Sequence, residues 1–231
     1  MFGADTTFSV FKWLKFQVDY RNLQIIDSKS SFAFRFNFGV ASPYGKQQNL
    51  ALPYNKRFYV GGSNSLRAWQ VRRLGPGSFG EVKEINADKS GLANINYQLE
   101  QGGDMVIETS LEYRKKLIGF VDYALFLDAG NIWIIKSDQK ILDAQGDDGI
   151  FQFENFLREF AVGIGIGLRL DFSFLVFRLD GAVQVVDPAQ EVGERFVLDD
   201  INLFARFGNN KADKAFFNNK TNLNIGIGFP F

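Results

Sequence analysis

The chain contains no histidine and no cysteine. That removes the Ser-His and Cys-His nucleophilic devices, thiolate chemistry, disulfides and nearly all zinc sites. What remains is the chemistry of ions, and one cation stands apart. Arg67 sits between Leu66, Ala68 and Trp69 in the stretch PYNKRFYVGGSNSLRAWQVRRLGPG, residues 53–77. This stretch is too long for a tight turn and follows neither a helical nor a strand period. It carries the paired glycines Gly61 and Gly62 and stops on Gly75, Pro76 and Gly77. An exposed loop of this length is ordinarily polar, and long ordered loops inside a compact fold tend to be functional. The pattern predicts a segment that folds back into a cavity made by the rest of the chain and docks there through Arg67. A guanidinium so placed needs a partner, because an unpaired buried charge costs several kcal/mol. Its planar fork suits a carboxylate.

The elements that must hold such a loop are strands. Within residues 12–26, Phe16, Val18 and Tyr20 alternate with Gln17, Asp19 and Arg21. After a turn at 27–30, Phe32, Phe34, Phe36, Phe38 and Val40 share one face against Ala33, Arg35, Asn37 and Gly39. Past the long loop, Ile107, Thr109, Leu111 and Tyr113 oppose Glu108, Ser110, Glu112 and Arg114. A turn at 115–118 leads to Val121, Tyr123, Leu125 and Leu127 against Asp122, Ala124, Phe126 and Asp128. Phe160, Val162, Ile164, Ile166 and Leu168 then oppose Ala161, Gly163, Gly165, Gly167 and Arg169. A turn near Ser173 returns through Leu175, Phe177 and Leu179. The last strand sets Leu223, Ile225, Ile227, Phe229 and Phe231 against Asn222, Asn224, Gly226 and Gly228. This is the period-two pattern of strands with one apolar face.

About seven strands result, joined by connections that alternate short and long. The long ones reach to about 103, from 135 to 158, and from 187 to 220. Tight turns at one rim and long loops at the other are the asymmetry of an outer-membrane barrel. The 26 Phe and 23 Gly fit such alternation better than a packed α/β core, which Leu and Ala would lead. A soluble sandwich or lipocalin-like barrel produces the same period. The size and aromaticity of the apolar faces, and the glycines and charges opposite them, favour lipid outside and water inside. There is no run of about 18 apolar residues to make a transmembrane helix. The N-terminal MFGADTTFSVFKW lacks a basic start followed by an apolar stretch, so a membrane location implies a signal upstream. A formal net charge of zero leaves no basic excess for nucleic acid.

GGSNSLRAW followed by RRLGPG resembles the BamA/TamA superfamily of outer-membrane assembly barrels, also called the bacterial surface antigen family. LFLDAGNIW, GIGLRLDFSFLVFRLD and the terminal GIGFPF are similar to successive strands of that family. The ordered set covers essentially the whole chain and is specific, whereas each motif alone is weak. One departure is Ala68, where the family usually has glycine. It restricts the backbone and predicts a slightly different tip conformation.

The resemblance implies that Arg67 reaches a carboxylate cluster on the barrel wall. The matching residues are Glu112 and Asp128, with Phe126 beside them. The strand pattern places all three opposite the lipid-facing row. The alternative is a solvated Arg67, with Asp128 merely starting a turn. The resemblance also implies a barrel of about sixteen strands preceded by periplasmic POTRA repeats. Residues 1–231 then correspond to its C-terminal portion, an incomplete all-β antiparallel transmembrane barrel without POTRA repeats or N-terminal strands.

In the family the last strand meets the first at a weak seam. Gly226 and Gly228 would weaken the strand there, and Phe229 and Phe231 close it. The same glycines equally relieve crowding or allow curvature. The implied function is insertion or translocation of client outer-membrane or surface proteins, without catalysis, metal or cofactor. The implied surroundings are the outer-membrane bilayer of a Gram-negative bacterium and accessory lipoproteins or an inner-membrane partner. The competing function is a passive transport channel. An outer-membrane enzyme is disfavoured by the lack of histidine.

Overall fold

A computed structural model of the chain describes residues 11–80, 82–85, 93–95, 99–135, 147–198 and 220–231. Parts of the three expected polar connections (81, 86–92, 96–98, 136–146 and 199–219) lie outside them, as do residues 1–10 of the N-terminal stretch. Seven strands form one antiparallel sheet in the order β1 (Trp13–Ile25), β2 (Ser30–Pro43), β5 (Met105–Ile118), β6 (Val121–Trp133), β7 (Ala161–Asp171), β8 (Val176–Val186) and β9 (Thr221–Ile227). A two-stranded ribbon, β3 (Val82–Ile85) and β4 (Ala93–Ile95), lies in the first long connection. The sheet does not close, and β1 and β9 are its edges. Among the described residues there is no α-helix, only short 3-10 turns.

Alternation sets the two faces. Rows of small and charged residues point to the concave side: Glu112, Asp128, Arg169 and Asp180 are all at most 1% exposed. The apolar rows point out, so that Phe36, Ile164 and Ile166 are 37%, 37% and 66% exposed. A water-soluble sandwich does the reverse and buries such rows. Outward cross-strand partners are large and apolar, as in Tyr20 with Phe36 and Leu179 with Ile225, and such pairs stabilise a sheet.

The core lies on the concave side, between the sheet and the first long connection folded onto it. Val60, Leu66, Ala68, Trp69 and Leu74 of that connection pack with Ala41, Val106, Phe126, Ile132, Ala161 and Ala182 of the strands.

Three details differ from the sequence expectation. Residues 115–118, Lys-Lys-Leu-Ile, continue β5, and the turn falls at Gly119–Phe120 instead. The exposed end of β5 stands clear of the packed interior, so Lys115 and Lys116 are tolerated in a strand. The stretch expected to be irregular contains the β3–β4 ribbon. The last strand stops at Ile227 and does not reach Phe231, because Gly228 takes φ +80° and turns the backbone out of register.

Candidate functional site: the docked arginine loop

Register brings the site together. In the β5–β6 ladder Ser110 pairs with Asp128 and Glu112 with Phe126. Glu112 and Asp128 are therefore diagonal neighbours on the concave face, a spacing of roughly 7–8 Å that one guanidinium can bridge. Phe126 stands directly opposite Glu112 and supplies a ring between the two acids.

Arg67 enters this space from the loop and is 1% exposed. Its Nε and Nη2 donate to Asp128 Oδ2 and Oδ1, each at 2.8 Å, in a fork. Nη1 donates to Glu112 Oε2 at 2.5 Å. The Arg67 backbone N–H adds a bond to Asp128 Oδ2 at 3.1 Å. The guanidinium carbon lies 3.4 Å from the centre of the Phe126 ring, a cation–π contact. Burial opposes the charge on Arg67, but Asp128 and then Glu112 hold its pKa above the ordinary guanidinium value. Glu112 also accepts from Arg114 Nε at 2.7 Å and Arg169 Nη2 at 3.1 Å. Arg169 Nη1 in turn donates to Asp180. The acids are thus shared among several guanidinium groups, and none of these acids is left as an uncompensated buried charge.

The loop tip is closed on itself. Gly62 N–H donates to the Trp69 carbonyl at 2.8 Å, and Trp69 N–H to Leu66 at 3.2 Å. Gly61, Gly62, Gly75 and Gly77 all have positive φ. At Gly61 a Cβ would also collide with the Gln70 carbonyl, so the turn requires glycine there. Leu66 and Trp69 are buried beside Arg67. Pro76 packs near Gly149 of the second connection. The Gly77 N–H donates to the Ile132 carbonyl at 2.8 Å.

Ala68 does not need a glycine conformation, because its φ is not positive. Its methyl group lies where a Cβ on Gly163 would sit, at 2.6 Å. The glycine row of β7 is therefore spatial. Gly163 leaves room for Ala68, Gly165 for the Phe126 ring and Gly167 for Arg169.

Sequence reasoning placed Asn222 and Asn224 on the concave face but gave them no task. Asn222 Nδ2 donates to the carbonyls of Arg67 and Trp69 at 3.0 and 3.1 Å. Asn224 Nδ2 donates to the Arg67 carbonyl at 2.8 Å. The last strand is thereby bonded to the arginine loop. The Asn-x-Asn spacing was the available signal, but its acceptors are backbone carbonyls that no side chain announces.

Three further contacts were not foreseen. Arg178 Nη2 donates to Asn64 Oδ1 at 2.6 Å, Arg35 Nη1 donates to the Asn64 carbonyl at 2.9 Å, and Ser65 donates to Glu108. A Cβ on Gly226 would come within 2.5 Å of Arg178 Nε, so this glycine makes room for the guanidinium. Phe229 and Phe231 reach the Arg67 cluster only through Arg114, which donates to Glu112. Their rings flank Arg114, whose guanidinium carbon is 4.5 and 5.6 Å from their centres.

Among solved structures, the chain is similar to BamA from Haemophilus ducreyi lacking POTRA domains 1–3, with 19% identity and a TM-score of 0.52. The match covers 75% of this chain and 32% of that one, so the chain spans about a third of that structure's length. It is also similar to CdiB from Acinetobacter baumannii, with 15% identity and a TM-score of 0.43, over 78% of this chain and 25% of that one. No curated protein matches the sequence. The Omp85 superfamily domain matches residues 2–230. With that match spanning nearly its whole length, the chain belongs to the Omp85 superfamily.

Proposed function

We propose that the chain is the C-terminal part of an outer-membrane barrel that inserts or translocates other proteins, with the arginine loop as a fixed lumenal clamp and the last strand as a lateral seam. Membership of the Omp85 superfamily supports an assembly or secretion barrel in the outer membrane of a Gram-negative bacterium. Outward Phe36, Ile164 and Ile166 suit lipid, and the buried acids and guanidinium groups suit an interior shielded from it.

The observation that supports the seam is the shortness of β9, which has 7 residues where the other six strands of the sheet have 11 to 14. Its concave row is held by Asn222 and Asn224 on the loop. Its far edge has no strand partner among the described residues. A free strand edge can template another strand through backbone hydrogen bonds. No covalent chemistry is required. The driving force is strand pairing and burial of the client's apolar face in lipid.

The open sheet is consistent with the reading of the chain as part of a larger barrel. Seven antiparallel strands leave two edges running in the same direction. Two copies with their long loops on one side of the membrane cannot close an all-antiparallel barrel. An odd number of strands from outside these seven is needed, and about nine would give a barrel of sixteen.

The test is photocrosslinking from Leu223 and Ile227 in lipid vesicles, with an unfolded barrel protein as client. Crosslinks from β9 to the client, together with protease protection of the inserted client, are expected. Solute flux without such crosslinks would favour the passive channel.

A further inference from the structure

We propose that residues 151–157, in the connection between β6 and β7, form an aromatic wedge that sits in the outer-leaflet interface of the bilayer beside the barrel. The proposal rests on the bilayer reading above. Trp133, at the end of β6, shares its parity with the outward Leu125 and Leu127. Phe160 continues the outward row of β7, Ile164, Ile166 and Leu168. The connection packs on these two rings: Phe151 lies 5.8 Å and Phe160 5.9 Å from Trp133 between ring centres. Phe156 lies 5.7 Å from Phe151 and 6.2 Å from Phe160. Glu159 pins the arrangement by accepting from Trp133 Nε1 at 2.6 Å. By parity the cluster continues the outer apolar row past the ends of β6 and β7.

Phe153 and Leu157 stand on this cluster at 80% and 72% exposure, with the exposed Arg158 next in sequence. That combination suits the level of the acyl carbonyls and phosphates, where aromatic and cationic side chains both find partners. A second aromatic group marks the opposite rim. Phe120 stacks on Phe172 at 5.1 Å, and Phe174 follows at 6.5 Å. From Phe160 to Phe172 a strand rises roughly 40 Å, or about 30 Å once tilted as barrel strands are. That is the thickness of the hydrocarbon layer. The two aromatic groups thus stand one membrane thickness apart, and the upper one is supplied by the connection, not by strand residues alone.

The chain has no cysteine, so Phe153→Cys, Leu157→Cys and Ile166→Cys can each carry a single fluorophore on the chain within a complete barrel, freed of any other cysteine and reconstituted in vesicles. Quenchers placed shallow or deep on the lipid chains, and aqueous iodide, report position. The expected result is that Phe153 and Leu157 labels lose at least half as much intensity to the shallow lipid quencher as the Ile166 label loses to the deep one. They should also resist iodide. Lipid quenching at Ile166 with iodide quenching at 153 and 157 would overturn the wedge and leave the bilayer reading standing. Protection of 153 and 157 from both quenchers would mean a protein covers them and would also overturn it. No lipid quenching at Ile166 would sink the bilayer reading, and the wedge with it.

Discussion

The concave face of the sheet is filled at one end and open at the other. At the long-connection end, the loop from Val60 to Leu74 packs against Val106, Phe126, Ile132 and Ala161, and Arg67 is closed off with Glu112 and Asp128. At the short-turn end there is a cavity of about 490 Å³, lined among others by Arg21, Lys29, Arg114, Asp122, Phe229 and Phe231. Charged residues occur at both ends, so charge alone does not distinguish them. The difference is whether a loop excludes water. Where it does, each charge must be matched atom by atom, and losing one partner is costly. Where it does not, solvent compensates, and ion pairs contribute little.

That contrast sets an order of effects. Arg67→Ala leaves two buried carboxylates without their main partner and is expected to lower stability by about 3–5 kcal/mol. Urea unfolding in vesicles measures it, and a loss below about 1 kcal/mol, typical of a surface pair, would erase the distinction between the two ends. Next comes steric fit. Gly163→Ala puts a methyl group against Ala68 and should cost about 1–3 kcal/mol by overpacking. Ala68→Gly in the same chain should recover most of that loss, and a loss that persists would place the clash elsewhere.

Asn224→Ala removes one bond from the last strand to the loop. About 1 kcal/mol is expected, read as faster amide hydrogen exchange across Thr221–Ile227 with other strands unchanged. Uniform acceleration in every strand would mean that the bond supports the whole sheet and not the last strand alone. The smallest effect belongs to the open end. Arg21→Ala removes an ion pair with Asp19 whose arginine side chain is about half exposed, and about 0.2–1 kcal/mol is expected. Urea unfolding measures it, and a loss as large as that of Arg67→Ala would erase the contrast between the two ends.

The strands were legible because a period of two survives in any sheet with unlike faces. Phe32 to Val40 and Ile164 to Leu168 could be assigned to one face from their spacing. The ends were less legible. Lys115 and Lys116 look like a turn because charge marks exposure, and the exposed end of a strand shares that mark. Phe229 and Phe231 keep the alternation of β9, yet Gly228 has already bent the chain away.

In the site, Arg67 stood out as an ion among apolar neighbours, and parity put Glu112, Phe126 and Asp128 on one face. The partners Asn222 and Asn224 find in the loop were not legible, because a carbonyl looks the same at every residue. Nor was the fit of Ala68 against Gly163, which depends on a contact between residues 95 positions apart in sequence.

The direct test of the clamp is a double-mutant cycle on Arg67→Ala and Asp128→Ala, read by urea unfolding of the vesicle-embedded chain. The forked pair at 2.8 Å predicts a coupling energy of roughly 2–3 kcal/mol. Effects that add to within about 0.5 kcal/mol would mean that the arginine is not held by this carboxylate, and the account of a loop docked through Arg67 would fail.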